Sequence, residues 1–599
     1  DKARHNLLAD VCLAANHEGQ SIKTHLEQYD AEYPSGSGHT TCTALARSFA
    51  DIGDIIRGKD LYFGKKKKKQ NETERDQLES KLKEIFKKIH GELKDAKKHY
   101  EGDTTNYYQL REDWWTANRE TVWKALTCSD DLKDASYFRA TCGGDRQGPS
   151  VARNQCRCGD GDKPKSGKGG EVTIVPTYFD YVPQYLRWFE EWAEDFCRKK
   201  NKKLQDVKTN CLDETKGKYC SLNGYDCTKT KLAIGKYRMG NQCISCLYAC
   251  NPYVDWINNQ KEQFDKQKQK YINVINGAPV SGRQKGGARG KCGTVGEFLE
   301  KLSAEDVCKK ITDEKEGKID FKNVNSGSAS VPGGGTSGAS GTNNEKEGTF
   351  YRSKYCQPCP HCGMKKKNGN EWENKSETDN CTSGKLYKPK NGQDGTKIEI
   401  LKSGEGETEI KEKLEEFCKT QNGSDGSGVA SGDKNGGSNS RSKELYQEWK
   451  CYQIGELTKV GEGEDDVDDL EYDEQVKNAG GLCILENKNK KEKGKEKESD
   501  PEPAEFQKTF HDFFYYWVAH MLKDSIHWRT KKLEKCLKNE KKKCGNQQCK
   551  VDCDCFKNWI GKKKKKEWDK IVQHFNTQDG FGKQGEFLGQ FRYDVVLKF

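Results

Sequence analysis

Gln77-Leu-Glu-Ser-Lys-Leu-Lys-Glu-Ile-Phe-Lys-Lys-Ile-His-Gly-Glu-Leu-Lys-Asp-Ala96 sets the fold class. Leu78, Leu82, Ile85, Phe86, Ile89, Leu93 and Ala96 return at helical spacing, with lysines and glutamates opposite. The same period surrounds this stretch. Upstream, Leu7, Leu8, Val11, Cys12 and Ala15 share one face, and Leu45, Phe49, Ile52 and Ile56 share another. Downstream, Trp115, Asn118, Val122 and Leu126 mark a helix over Tyr107–Leu126. Four amphipathic helices in close succession predict a helical bundle rather than a sheet.

Further along, turn-forming residues and cysteines dominate from Cys128 to Gly170. A helix resumes after Pro183 with Leu186, Phe189, Trp192 and Phe196, and a long one is predicted between Pro252 and Ile275. Asn325–Asn343 and Asn422–Ser442 are rich in Gly and Ser, while Glu486–Pro503 is nearly all polar. None buries enough apolar area to offset its ordering entropy, so long disordered loops are expected there. Phe506, Phe510, Phe513, Phe514, Trp517, Val518, Met521 and Leu522 then form a broad apolar face, and Phe556–Phe575 a final helix. Trp114, Trp115, Trp188, Trp192 and Trp517 sit at helical spacing and are assigned to the core.

Charged residues make up 33% of the 599, against 32% hydrophobic, so loops and wet surface are extensive. Phe510–Leu522 is too short, and too interrupted by His511, Asp512 and His520, to span a bilayer. The 27 cysteines place the chain in an oxidising, extracellular setting. Their odd number leaves at least one thiol without an internal partner, which reads as a fragment whose upstream part carried the other cysteine.

Ala46-Arg-Ser-Phe-Ala-Asp-Ile-Gly-Asp-Ile55 and Tyr181-Val-Pro-Gln-Tyr-Leu-Arg-Trp-Phe-Glu-Glu-Trp192 resemble the two hallmark blocks of the alpha-class Duffy-binding-like domain. That domain belongs to the variant erythrocyte membrane protein 1 family of malaria parasites. Leu7–Ala15, Tyr355–Pro360, Trp517–Ser525 and Cys553-Asp-Cys-Phe556 with Trp559 extend the likeness along nearly the whole chain. The resemblance implies a mainly α, disulfide-stapled Duffy-binding-like fold with helical-bundle subdomains. Residues 1–210 would form a helical-bundle subdomain with a remnant of the first subdomain. Residues 211–575 would form a cysteine-rich subdomain with two long antiparallel helices, and 576–599 would lead toward an interdomain region.

The resemblance further implies an adhesion domain on the infected erythrocyte, antigenically variable and active in cytoadherence or rosetting. Its expected partners are a host receptor protein, sulfated or blood-group glycans, and host antibodies, with the membrane anchor outside this fragment. A structural spacer shielding a neighbouring receptor-binding module is the alternative. Nucleic acid is not expected, since the acidic block Glu462–Glu474 opposes it. No GxSxG, HExxH or complete phosphate loop is present, so no enzyme activity, cofactor or catalytic residue is assigned.

The net charge of +11 favours acidic partners. Arg57, Lys59, Lys65, Lys66, Lys67, Lys68, Lys69, Lys87 and Lys88 are the candidate glycan or receptor contacts, their alternative being a solvated helix face. Lys562–Lys566 is read as an ordinary polar helix face. Cys356-x-x-Cys359-x-x-Cys362 has permissive metal spacing, yet in an oxidising setting disulfides are the expected state and no metal is assigned. Cys12, Cys42, Cys128, Cys142, Cys197, Cys243, Cys246, Cys250, Cys553 and Cys555 are expected in bridges likewise, with pairing not readable from spacing.

Overall fold

The structure is a computed structural model. It describes residues 2–33, 40–62, 73–103, 105–137, 141–142, 151–158, 174–213, 215, 217–229, 243–275, 294–311, 316, 318–324, 348–360, 362–367, 371–376, 386–404, 407–421, 445–460, 467–478, 480–486, 505–537 and 547–577. The three polar linkers, apart from Glu486, and residues 578–599 lie outside these. Two compact units emerge, interleaved along the chain. One comprises residues 1–202, 262–312 and 319–324; the other takes 203–261, 313–318 and 325–599.

In the first unit, four helices form as the periodicity predicts: α1 Lys2–Glu32, α2 Thr40–Arg57, α3 Glu74–Glu92 and α4 Tyr108–Leu126. Thr73 starts α3 with a capping box, its hydroxyl accepting from the Asp76 amide while Asp76 accepts from the Thr73 amide. Helix α3 buries Leu82, Phe86 and Ile89, whereas Leu78 at its outer edge stays exposed. Gly53 lets α2 approach α4: a Cβ there would meet the Trp115 ring at 2.7 Å. Phe49 lies at that junction, its ring centre 5.0 Å from Trp115 and 5.1 Å from Trp123. Such aromatic pairs add about 0.5–1.5 kcal/mol each beyond area burial.

Beyond the bundle, Asn154 (φ 62°), Gln155 (φ 51°) and Cys156 (φ 54°) form a left-handed turn without glycine. Each such residue costs on the order of 1–3 kcal/mol, so the surroundings must hold it. They do so through the Cys42–Cys156 bridge and through Trp123 Nε1 donating to the Cys156 carbonyl at 3.2 Å. The unit's remaining core is aromatic. Phe189, Trp192 and Phe196 of α5 (Gln184–Cys211) meet Phe264 of α6 (Ile244–Ile275), Phe298 of α7 (Val295–Ser303) and Phe321.

Helix α6 starts eight residues before Pro252, where the sequence predicted its first turn. Two bridges from that extra segment, Cys211–Cys246 and Cys250–Cys356, clamp it, and Pro252 lies inside the helix, where it removes one backbone donor. The second unit also holds β structure that the sequence reading did not anticipate. Strands β1 Thr396–Leu401, β2 Tyr446–Tyr452, β3 Leu482–Glu486 and β4 Glu505–Thr509 form an antiparallel sheet in the order β4-β3-β2-β1. Ile398, Ile400, Trp449, Cys451 and Cys483 pack under Phe510, Phe513, Phe514 and Trp517 of α8 (Phe510–His527). Leu522, expected on that buried face, is exposed. Helix α9 (Gln547–Gly561) continues through a π-helical turn, Lys562–Trp568, into α10 (Asp569–Asn576).

Ten disulfides are formed among the described residues, and Cys362 is bridged as well. Cys42, Cys142, Cys197, Cys243, Cys246, Cys250, Cys356, Cys359 and Cys555 are cross-linked as expected. Cys12 and Cys128 are not. Cys12 packs as a small apolar side chain against the bundle core, where burial raises its thiol pKa; exposed Cys128 accepts from Asn16 Nδ2 at 3.2 Å. Cys553 belongs to none of the ten bridges.

Candidate binding surface

Within the hallmark blocks Asp54 and Arg187 are buried, as are Arg57, Arg111, Arg119 and Asp180 outside them. Arg57 is 2% exposed; its Nε donates to the Gly53 carbonyl at 2.9 Å, and its guanidinium pairs with Asp54 at 3.0 Å and Glu112 at 3.1 Å and reaches the Asp180 carbonyl. Arg187 spans Asp51 at 2.6 Å and Asp54 at 2.8 Å. Arg119 grips both Asp180 oxygens at 2.9 Å, and Trp115 Nε1 donates to the same carboxylate at 3.0 Å. Arg111, fully buried, forks onto Glu79 at 2.7 and 2.9 Å. Burial pushes the Asp54 carboxyl up despite the opposing charges of Arg187 and Arg57. At Glu112 burial acts in the same sense, but the Lys59 hydrogen bond and the Arg57 and Lys59 charges outweigh it and hold the group below its usual value.

This lattice removes Arg57 from the predicted contact surface. An arginine closing a helix looks solvent-facing in sequence, but its partners lie 3, 55 and 123 residues away. Lys59 is partly exposed and bound to Glu112 at 2.5 Å. Lys65–Lys69 lie outside the described residues. Lys87 and Lys88 stand exposed on α3 beside Lys81, none with an ion-pair partner among the described residues. The structure therefore keeps only α3's outer face as the described part of the patch.

The second lysine run divides. Lys563 is buried, paired with Glu567 at 3.0 Å and donating to the Leu401 carbonyl at 3.2 Å. Glu567 in turn accepts from Trp517 Nε1 at 2.6 Å and the Leu401 amide at 2.9 Å. Lys562 reaches Glu399 at 2.6 Å and lies over the Tyr446 ring, while Lys564, Lys565 and Lys566 face water. Only the last three behave as the polar face expected of the run.

Nearby, burial drives Asp524 up to about 6; Ser403 Oγ donates to it at 2.5 Å. Lys508 is fully buried, its ammonium 4.2 Å from the Tyr225 ring centre and 5.4 Å from that of Tyr516, and burial lowers it to about 7. Cys211, Cys246 and Cys250 bring three sulfurs together, but each is committed to a disulfide.

The first unit is thus a helical bundle knit by buried arginines, and the second a disulfide-dense unit of helices and a sheet. The family model described as the Duffy binding domain matches residues 1–187, that of the Duffy-binding-like C-terminal subdomain residues 191–330, and that of the PFEMP1 DBL domain residues 513–598. The NTS-DBL1(alpha-1) domain of Plasmodium falciparum membrane protein 1 from the varO strain is 35% identical, with a TM-score of 0.46 over 62% of this chain and 74% of that one. The chain belongs to the Duffy-binding-like domains of the PfEMP1 family. A PfEMP1 DBLbeta domain whose structure was solved bound to ICAM-1 is 28% identical, with a TM-score of 0.32 over 47% of this chain and 55% of that one. The Duffy receptor of Plasmodium vivax is 21% identical over 243 residues, 40% of this chain and 16% of that protein. The chain spans 16% and 14% of the lengths of the two curated relatives it matches.

Proposed function

We propose that this chain is a host-cell adhesion domain of a variant surface antigen, displayed outward on the infected erythrocyte and acting by binding alone. The observation that carries the reading is the succession of three Duffy-binding-like family matches along both units. A relative in the same family was solved with ICAM-1 bound, which supports a host surface protein as one kind of partner. Cytoadherence and rosetting are the cell-level outcomes of such binding, and sulfated or blood-group glycans its second kind of ligand.

On this reading α3 supplies part of the glycan contact. Its apolar face is fixed by Leu82, Phe86 and Ile89, so Lys81, Lys87 and Lys88 project from a rigid support. Flexible ammonium groups on that support suit arrays of sulfates, with a contribution that salt screens. Retention on a heparin column tests it. Lys87→Glu with Lys88→Glu is expected to lower the eluting salt concentration clearly while thermal unfolding stays unchanged; unchanged elution would remove α3 from the contact. Screening the intact chain against ICAM-1, other endothelial receptors and red cells tests the broader reading, and no binding anywhere would favour a spacer.

A further inference from the structure

Asparagine is a thermolabile residue, and most so before glycine, whose missing Cβ lets its backbone nitrogen approach the preceding carboxamide. Six Asn–Gly pairs occur in the sequence, and two of them, Asn223–Gly224 and Asn391–Gly392, fall among the described residues. Both belong to the second unit, and the fold treats them oppositely. Asn391–Gly392 is the centre of the turn that joins the strand Leu386–Pro389 to β1. Gln393 N donates to the Lys390 carbonyl at 3.1 Å, and Gly392 stands at φ 85°, as the third residue of a type II turn requires. The base of the turn is held, with Lys390 N donating to the Glu456 carbonyl at 2.8 Å and Lys390 Nζ to the Gly455 carbonyl at 2.7 Å. Its tip is open. Asn391, Gly392, Gln393 and Asp394 are exposed, and a Cβ on Gly392 would meet nothing within 4 Å. Neither the Asn391 carboxamide nor the Gly392 amide has a hydrogen-bond partner among the described residues.

The other pair is locked. Gly224 is buried, and its amide donates to the Ser221 carbonyl at 3.0 Å. Ser221 N donates to the Tyr225 carbonyl at 2.9 Å, and Leu222 N to the Gln357 carbonyl at 3.2 Å. The bridges Cys220–Cys243 and Cys227–Cys359 flank this turn on both sides. Bringing the Gly224 nitrogen onto the Asn223 carboxamide would break its hydrogen bond and shift a cross-linked backbone, so reaction there waits for local opening.

We infer that Asn391 is a site of spontaneous deamidation in the folded chain, with water as the only co-reactant. The Gly392 amide gives up its proton to water or hydroxide, and its nitrogen attacks Asn391 Cγ, forming a C–N bond. The Cγ–Nδ2 bond then breaks and the amide leaves as ammonia, closing a five-membered succinimide. Water adds to one of the two ring carbonyls. Opening on the side-chain branch returns aspartate, and opening on the main-chain branch gives isoaspartate, which routes the backbone through Cβ. The net change is loss of ammonia and gain of water, with no oxidation or reduction. Either product places a carboxylate next to exposed Asp394 and lowers the formal charge of +11 by one. The open tip accommodates the altered backbone without disturbing β1, whose anchor lies at Lys390. The inference does not rest on the adhesion reading.

Peptide mapping by mass spectrometry tests it. The disulfide-intact chain is held at mildly alkaline pH for days, then reduced, alkylated and digested, with a reduced and denatured sample aged in parallel. In the folded chain the Asn391 peptide is expected to acquire the amide-to-acid mass gain at least about tenfold faster than the Asn223 peptide, whose reaction needs local opening. In the denatured chain the two rates are expected to converge. Mass gain is the readout because Asp394–Gly395, in the same stretch, can isomerise without changing mass. Gly392→Ala is expected to slow conversion of Asn391 by roughly tenfold, with circular dichroism showing that the fold is kept. The comparison of Asn391 with Asn223 in the native chain stands without that variant. Equal rates in the folded chain, conversion of Asn223 ahead of Asn391, an Asn391 that reacts only after denaturation, or an unslowed, folded Gly392→Ala overturns the proposal.

Discussion

The two units are consolidated by different chemistry. The first encloses a lattice of arginines and carboxylates with three of the described bridges, Cys42–Cys156, Cys142–Cys158 and Cys197–Cys308. The second contains the other seven, with a sheet and aromatic helices. Long amphipathic helices near in sequence assemble by local contacts, and buried ion pairs then fix which faces meet. Short strands separated by long polar insertions gain little from local contacts. There, covalent links shrink the unfolded ensemble instead.

Breaking the charge lattice is expected to have the largest effect. Asp180→Ala leaves the Arg119 guanidinium and Trp115 Nε1 buried without their acceptor, at a cost of about 3–5 kcal/mol. Denaturant unfolding followed through tryptophan fluorescence measures it; a loss under about 1 kcal/mol would mean the lattice is incidental. Next comes the second unit's sulfur. Cys250→Ala with Cys356→Ala opens a link between residues 106 apart and is expected to cost about 2–4 kcal/mol. Reducing agent should then lower the variant's stability by less than it lowers the native chain's.

Acidity sharpens the contrast further. The folded-state pKa of Asp524 is about 6, above the ordinary 3.8, so its protonated form is the one folding favours. That contribution is complete below the ordinary value and is lost as pH rises through 6. Between pH 4 and 7 the native chain should lose about 1–3 kcal/mol relative to Asp524→Asn, measured by denaturant titration at each pH. Lys508 does not confuse this window. Its depressed value of about 7 means that its contribution, present at high pH, is lost mostly as pH falls through 7 and changes little below 6. The smallest effect is at the surface: Lys59→Ala breaks a partly exposed pair with Glu112 and should change stability by under about 1 kcal/mol.

The four bundle helices were legible because each repeats its apolar residues over several turns. The β1–β4 sheet was not, since its strands are five to seven residues long and β1 pairs with a strand beyond the 422–444 insertion. Arg57 and Lys563 were misread for one reason: a cation's burial depends on distant carboxylates. Lys563 has Glu567 one turn away, yet its burial also requires Leu401, 162 residues back. The exposed lysines of α3 were readable from their position opposite Leu82, Phe86 and Ile89. The left-handed turn at Asn154, Gln155 and Cys156 was not, because no periodic pattern announces it. Disulfide pairing was equally hidden, with partners from 13 to 137 residues apart.

The central claim is that a cross-linked scaffold presents a surface that grips host cells. Flow cytometry of the labelled, disulfide-intact chain on red cells and endothelial cells, repeated after reduction and alkylation, tests it most directly. Saturable staining that reduction abolishes is the predicted result. Absence of staining on both cell types, or staining that survives complete reduction, would contradict it.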